Sequence, residues 1–480
     1  MKVKRSMNDL MANRVLIRHA AFVMTGVAGT AMRHDTSAGS DIRVRDGLIQ
    51  AIGQLAPEPG ERVIDASGCV VYPGWVNTHH HLFQSLLKGI PAGIGVALTP
   101  WLEAVPVPYR QFFNTEHAMR IAARIGLVEL LLSGCTTVAD HQYHYHPNMP
   151  FDVSAVVFGE AEKLGLRFVL CRGGQTMARQ FDKPAPLESA PETLDAIMAS
   201  IERDVRRFHD PSPTAMRRVV SAITTPNWSC QPDELLALAR QARSLDIRLH
   251  SHLNETYDYV NYFREVHGCS AMQFAEKHEW VGSDVWFAHM VHLSDDDIAR
   301  CAQTGTGIAH CPQSNARLGS GIARVPYMLK AGAPVSLAVD GAASNEAADM
   351  LSEAHACWLL HRAKPLEFGG DAGAMSAEQV IHMGTAAGAR MLGLDGVGTL
   401  AVGMAADLAV YDLDQPRHFG LHDMAIAPVV SGGQASLRAV LVAGRVVVEN
   451  NCIPGLDMVE LRADAHALVK HMVSTMAIAS

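Results

Sequence analysis

A chain of 480 residues with 48% hydrophobic and 19% charged side chains has the composition of a large globular protein, not of a disordered or fibrous one. Its 40 basic and 49 acidic residues give a formal net charge of −9 with no basic block, which argues against a DNA or RNA polymer as partner. Cysteines without C-x-x-C spacing, no long uncharged apolar run and no apolar stretch across Met1–Leu16 together predict a reduced, cytoplasmic protein without signal peptide or membrane span.

The first seventy residues read as short β segments. Val15–Arg18, Ala21–Thr25, Ser40–Arg45 and Leu48–Gly53 are apolar or alternating, with Asp46-Gly47 as a hairpin signal between the last two. Val63–Ala66 and Cys69–Tyr72 follow before Pro73-Gly74. Similar segments return at Leu408–Tyr411, Leu437–Val442 and Val446–Glu449. Strands at both ends of a chain with a different middle predict a small β-sandwich domain built from residues 1–72 and 397–455.

The middle alternates strands and helices. Val76–His79, Thr136–Asp140, Arg167–Cys171, Val219–Thr224, Arg248–His252, Val285–His289, Gly307–Cys311 and Pro334–Asp340 are eight predicted strands. Most are separated by one amphipathic stretch, such as Glu116–Leu132, Leu194–Phe208 and Cys269–His278. Eight such units predict a (β/α)₈ TIM-type barrel over residues 73–396, with its chemistry at the C-terminal strand ends. A last helix within 456–480 has an apolar face (Leu461, Ala465, Leu468, Met472) for packing on the barrel or on a second subunit, so a homo-oligomer is left open.

With 24 histidines in the chain, no single one is informative. Position on the strands is. Residues two apart on a strand share a side, so His79 and His81 face the barrel mouth together and His80 turns away. The fifth strand ends at His252, followed by Glu255; the sixth ends at His289 and the eighth at Asp340. Four strand ends that each carry a ligand-type residue point to a metal site with a nearby carboxylate.

The run Pro73-Gly74-Trp75-Val76-Asn77-Thr78-His79-His80-His81 resembles the signature of the amidohydrolase superfamily. His252-Leu253-Asn254-Glu255 is similar to the H-x-x-E of its deaminase branch. Ala288-His289, Ala309-His310-Cys311-Pro312-Gln313-Ser314-Asn315, Val339-Asp340-Gly341 and the return segment Gly403-Met404-Ala405-Ala406-Asp407-Leu408 extend the resemblance over nearly the whole chain. It implies one divalent metal, zinc first with iron or manganese as alternatives, held by His79, His81, His252 and Asp340. It further implies Asp340 as proton carrier, Glu255 as acid toward a ring nitrogen and His289 as a hydrogen-bonding partner of the reacting water. The fourth strand lacks the lysine or glutamate that bridges two metals in binuclear relatives.

The run from Asn315 to Ala323 resembles that of the deaminases of fused 2-amino-4-oxo heterocycles. The resemblance implies a small pterin or purine base and water as partners, with isoxanthopterin favoured and 8-oxoguanine or guanine as alternatives. Gln84 and Arg172 are expected to read the ring's polar groups, and Gly173-Gly174 beside Arg172 to admit the ligand closely. Tyr143 is expected to add a contact, and Trp101, in the long loop after the first strand, an aromatic face. A triazine chlorohydrolase or aminohydrolase is the rival enzyme. A non-catalytic scaffold is the rival of another class, disfavoured because every metal-site residue is present.

Overall fold

A computed structural model describes residues 14–178, 191–363 and 370–479. The reading of Met1–Leu16 as free of a signal peptide therefore lies mostly outside the described residues. Among those described, no helix is long and apolar enough to cross a membrane.

Seventeen strands form three sheets among the described residues. Five strands lie in the amino-terminal stretch and open the chain: β1 (Arg14–Arg18), β2 (Phe22–Val23), β3 (Asp41–Arg45), β4 (Leu48–Gly53) and β5 (Arg62–Asp65), followed by β6 (Cys69–Pro73). The turn between β3 and β4 uses Asp46 at φ 50° and Gly47 at φ 83°, two left-handed residues in succession that match the right-handed strand twist. Order β4-β3-β1-β5 makes one sheet.

The barrel consists of β7 (Trp75–His80), β8 (Cys135–Gln142), β9 (Arg167–Arg172), β10 (Arg217–Ala222), β11 (Leu249–Leu253), β12 (Val285–His289), β13 (Gly307–His310) and β14 (Val335–Leu337). They are parallel neighbours in chain order. Most of their residues are buried on both faces, as strands covered by helices outside and side chains inside must be. The seam between β14 and β7 closes through Asn77 Oδ1, which accepts from Val339 N (3.1 Å), and the Thr78–Ser336 hydroxyl pair (2.7 Å).

The chain then returns through β15 (Leu408–Asp412), β16 (Leu437–Val442) and β17 (Arg445–Glu449), which join β6 and β2 in the order β17-β16-β15-β6-β2. Val15, Ile17, Ile42, Val44 and Ile64 pack there against Val71, Leu408, Val410 and Leu441, the core of a sandwich of two sheets. Arg167 on β9 ties this return to the barrel by a buried fork onto Asp407 (2.5 and 3.0 Å).

One element differs from expectation. The stretch after Glu255 holds an additional helix, Tyr257–His267, closed by Gly268 in the left-handed region, before a shorter helix Ala271–Lys277 capped by Ser270. The last helix runs Met458–Ala479 and lies against the barrel helix Glu116–Leu132, with Leu461 and Met472 buried.

Candidate active site

The C-terminal strand ends meet at the barrel mouth. β7 delivers His79 and leads directly into His81, β11 delivers His250 and His252, β12 ends on His289, and Asp340 follows β14. Several of these positions have unusual backbone: Asn254, His289, Met290 and Asp340 sit at φ 48°, 73°, 49° and 63°. Left-handed conformations cost non-glycine residues on the order of 1–3 kcal/mol each, and they cluster where geometry at a functional site demands it. Asp340 N donates to His79 O (3.1 Å), which holds the strained residue over the first histidine.

The hydrogen bonds fix where the protons are. His81 Nδ1–H donates to the carbonyl of His141 (2.8 Å) and His252 Nδ1–H to that of Thr224 (2.6 Å). His250 Nδ1–H donates to Trp286 O (3.0 Å), so its Nε2 is an acceptor and takes the Nδ1–H of His79 (2.8 Å). Since carbonyls can only accept, all three ring protons lie on the outer nitrogens, and the Nε2 lone pairs of His79, His81 and His252 point inward.

Those lone pairs crowd one another. His81 Nε2 and His252 Nε2 are 3.1 Å apart, and Asp340 Oδ1 lies 3.2 Å from His81 Nε2 and 3.3 Å from His79 Nε2. His79 Nε2 is buried with no hydrogen-bond partner. Burial pushes His79 and His252 well below the usual imidazole range, so both are neutral. Burial alone would raise Asp340; the pull of His79 and His81 that holds it well below the usual carboxylate range needs positive charge between Oδ1 and their Nε2 atoms, a place that their inward lone pairs leave to a cation. Facing lone pairs and an anion repel unless a cation lies among them, and ligands on a tetrahedral zinc stand roughly 3.3 Å apart. The donor set fits a divalent metal. Overlapping groups, His79, His81, His141 and His252 on one side and His79, His252, His289 and Asp340 on the other, each bring four ligand atoms within 4.8 Å of one another.

The remaining groups are held from outside. Ser314 and Ser344 hydroxyls donate to Asp340 Oδ2 (2.6 and 2.8 Å), which leaves Oδ1 for the centre. Asn315 Oδ1 accepts from His289 Nδ1 (2.9 Å), so His289 Nε2 faces Glu255 Oε2 at 3.7 Å. Glu255 is buried at the mouth beside the cluster. The sequence reading missed His141: it stacks on His252 (centroids 4.7 Å apart), and neither ring nitrogen has a hydrogen-bond partner. Its place at the end of β8 was the available signal, masked by its neighbours His144 and His146.

The expected substrate contacts divide. Gln84 and Tyr143 come together: Gln84 Nε2 donates to Tyr143 Oη (3.0 Å), and the Tyr143 ring stands 4.9 Å from that of His81. Gln84 Oε1 packs so closely on Gly341 that a Cβ there would lie 1.9 Å from it, which is why a glycine follows Asp340. Trp101 is buried within its own loop, against Gly93 and in the core cluster with Val105.

Arg172 turns elsewhere. It forks onto Glu192 (2.6 and 2.8 Å), donates to Gly173 O (2.6 Å) and Ser200 Oγ (3.2 Å), and lies over the Tyr145 ring at 3.8 Å. Gly173 and Gly174 are small for a different reason than expected: a Cβ would meet the His141 ring at 2.8 Å and Arg172 Nη1 at 3.0 Å. The protein's own side chains fill that space.

Comparison with known proteins agrees with this geometry. Residues 70–447 match the amidohydrolase family. The chain is 56% identical over 468 residues to an isoxanthopterin deaminase of an unknown prokaryotic organism, covering 95% of this chain and 97% of that one. It is 35% identical over 441 residues to an 8-oxoguanine deaminase of Pseudomonas aeruginosa, covering 90% and 95%. Among solved structures it resembles atrazine chlorohydrolase of Arthrobacter aurescens complexed with zinc, with TM-score 0.86, 29% identity and coverage of 95% and 100%. The chain belongs to the amidohydrolase family and is a hydrolase of carbon–nitrogen bonds.

Proposed function

We propose that this protein is a zinc-dependent deaminase of isoxanthopterin, releasing ammonia from the 2-amino-4-oxo edge of the fused ring. The observation that carries the metal chemistry is the convergence of unprotonated His81 and His252 nitrogens and ionised Asp340 at 3.1–3.2 Å. The substrate is favoured by the 56% identity to an isoxanthopterin deaminase over nearly the full chain.

In this reading His79, His81, His252 and Asp340 hold the ion. When bound, it supplies Lewis acidity and a water activated near neutral pH. Asp340 takes the water's proton on Oδ1 and later hands it to the departing amine, while Ser314 and Ser344 keep its other oxygen occupied. Glu255 protonates the ring nitrogen next to the attacked carbon, and His289 orients the water. Two carboxylates in unlike surroundings divide the acid and base work. Gln84 and Tyr143 hold the polar edge of the ring.

The test is ammonia release from isoxanthopterin and 8-oxoguanine, side by side, by zinc-loaded protein. Faster turnover of isoxanthopterin is the expected result. Turnover of 8-oxoguanine alone keeps the chemistry and overturns the substrate, and ammonia from neither redirects the search to triazines.

A further inference from the structure

His310, Cys357 and His361 form a further ligand cluster, on the outer side of the barrel wall. Ala309 and Cys311 pack inside the barrel with Val76 and Trp286, so by strand alternation His310, the last residue of β13, points outward. There it meets the helix Met350–Ala363, whose Glu353, Cys357 and His361 follow one another at single-turn spacing and share a face. All four side chains are buried.

The ligand atoms of His310, Cys357 and His361 lie within 4.8 Å of one another. His310 Nε2 and His361 Nε2 face each other at 2.9 Å, with the rings 4.9 Å apart and inclined by 42°. Only one proton fits between two such nitrogens, so at least one lone pair points into the gap. These separations are within about 1 Å of the roughly 3.3–3.8 Å that ligands keep around a tetrahedral zinc. Two imidazoles and a thiol are a borderline-to-soft donor set, and two ligands one turn apart on a helix repeat a spacing by which helices present side chains to a metal.

A dry core accepts a dication only where its charge is cancelled. Cys357 supplies one negative charge by giving up its thiol proton, and Glu353 supplies the other. Glu353 is fully buried one turn before Cys357, and its charge adds to burial in raising that thiol, so the two groups feel each other. Its oxygens accept from Gln313 N (2.8 Å) and Gln313 Nε2 (2.6 Å), which makes it a counter-charge and not a ligand. A thiolate, a carboxylate and two neutral imidazoles sum to zero with Zn²⁺.

We propose that His310, Cys357 and His361 bind a structural zinc ion of their own, which staples the helix Met350–Ala363 to β13. On binding, a zinc–sulfur bond replaces the Cys357 sulfur–hydrogen bond and the proton leaves to solvent; nothing is oxidised or reduced. Through Glu353 and Gln313 the same helix holds the start of the helix Pro312–Arg317. That short helix carries Ser314 and Asn315, the partners of Asp340 and His289. The ion thus braces from behind the groups that line the reacting centre.

Sulfur separates this site from the one at the mouth, whose proposed ligands are nitrogen and oxygen alone. X-ray absorption at the zinc edge of the zinc-saturated full chain is expected to show a sulfur neighbour at about 2.3 Å. Cys357→Ser is expected to lose that neighbour and about one zinc per chain on elemental analysis. His361→Gln is expected to lower the zinc content in the same way, and is the variant to read should Cys357→Ser not fold. A wild-type edge without sulfur, or a sulfur neighbour that survives these substitutions, overturns the proposal. Neither measurement depends on ammonia release, so this site and the deaminase reading stand or fall separately.

Discussion

Two sides of the barrel mouth treat their polar groups in opposite ways. On the side of β7, β11, β12 and Asp340, every outer hydrogen bond is arranged so that lone pairs and negative charge face an open centre. On the side of β9, Arg172 spends its donors on Glu192, Gly173 and Ser200 and covers Tyr145. The first side is incomplete without something from outside; the second is complete in itself. A buried charge at a barrel mouth thus signals a binding role only after its partners are counted.

Breaking the open side has the largest expected effect. On the proposed reading Asp340→Asn removes a metal ligand and the proton carrier together, so kcat is expected to fall by about 10⁴-fold or more and bound zinc to drop on elemental analysis. Full zinc with near-normal turnover would refute the assignment of Asp340. Breaking the closed side acts on folding instead. Arg172→Met leaves the largely covered Glu192 carboxylate without its partner, and denaturant unfolding should show a loss of about 3 kcal/mol with KM unchanged. A raised KM at unchanged stability would move Arg172 back among the substrate contacts.

The smallest effect sharpens the open side through pH. Burial, which outweighs the opposing bond to Trp286 O, pushes His250 down to about 3. The unfolded chain takes that proton below about 6.5 while the folded protein refuses it, so the stabilisation is complete above 6.5 and is lost as pH falls toward 3. Unfolding of metal-free protein between pH 6.5 and 4 should show a slope shallower in His250→Gln than in wild type by about 1.4 kcal/mol per pH unit. Parallel slopes would mean that His250 already carries its proton, which would turn His79 Nε2 into a donor and spoil the site for a cation.

Much of this was legible in the sequence. Period-two geometry separated His79 and His81 from His80, which turns to the Asp340 carbonyl, and Asp46-Gly47 announced its hairpin. The fate of Arg172 was hidden because its partner Glu192 lies beyond β9 and no local pattern joins them. His141 was obscured by abundance. What sequence periodicity resolves is direction from a strand; what it leaves open is who waits at the other end.

The sandwich of terminal strands sets a schedule for synthesis. β6 pairs with β15 along its whole length, yet the barrel is translated between them. At ribosomal rates of about 5–20 residues per second, the early strands wait on the order of tens of seconds for their neighbours. Cys69–Pro73, apolar and buried in the finished protein, spends that interval as an unpaired edge. The nascent chain is thus most vulnerable to aggregation before its last strands emerge, and a delay in translating the segment before Leu408 would cost yield of folded protein while leaving each finished molecule the same.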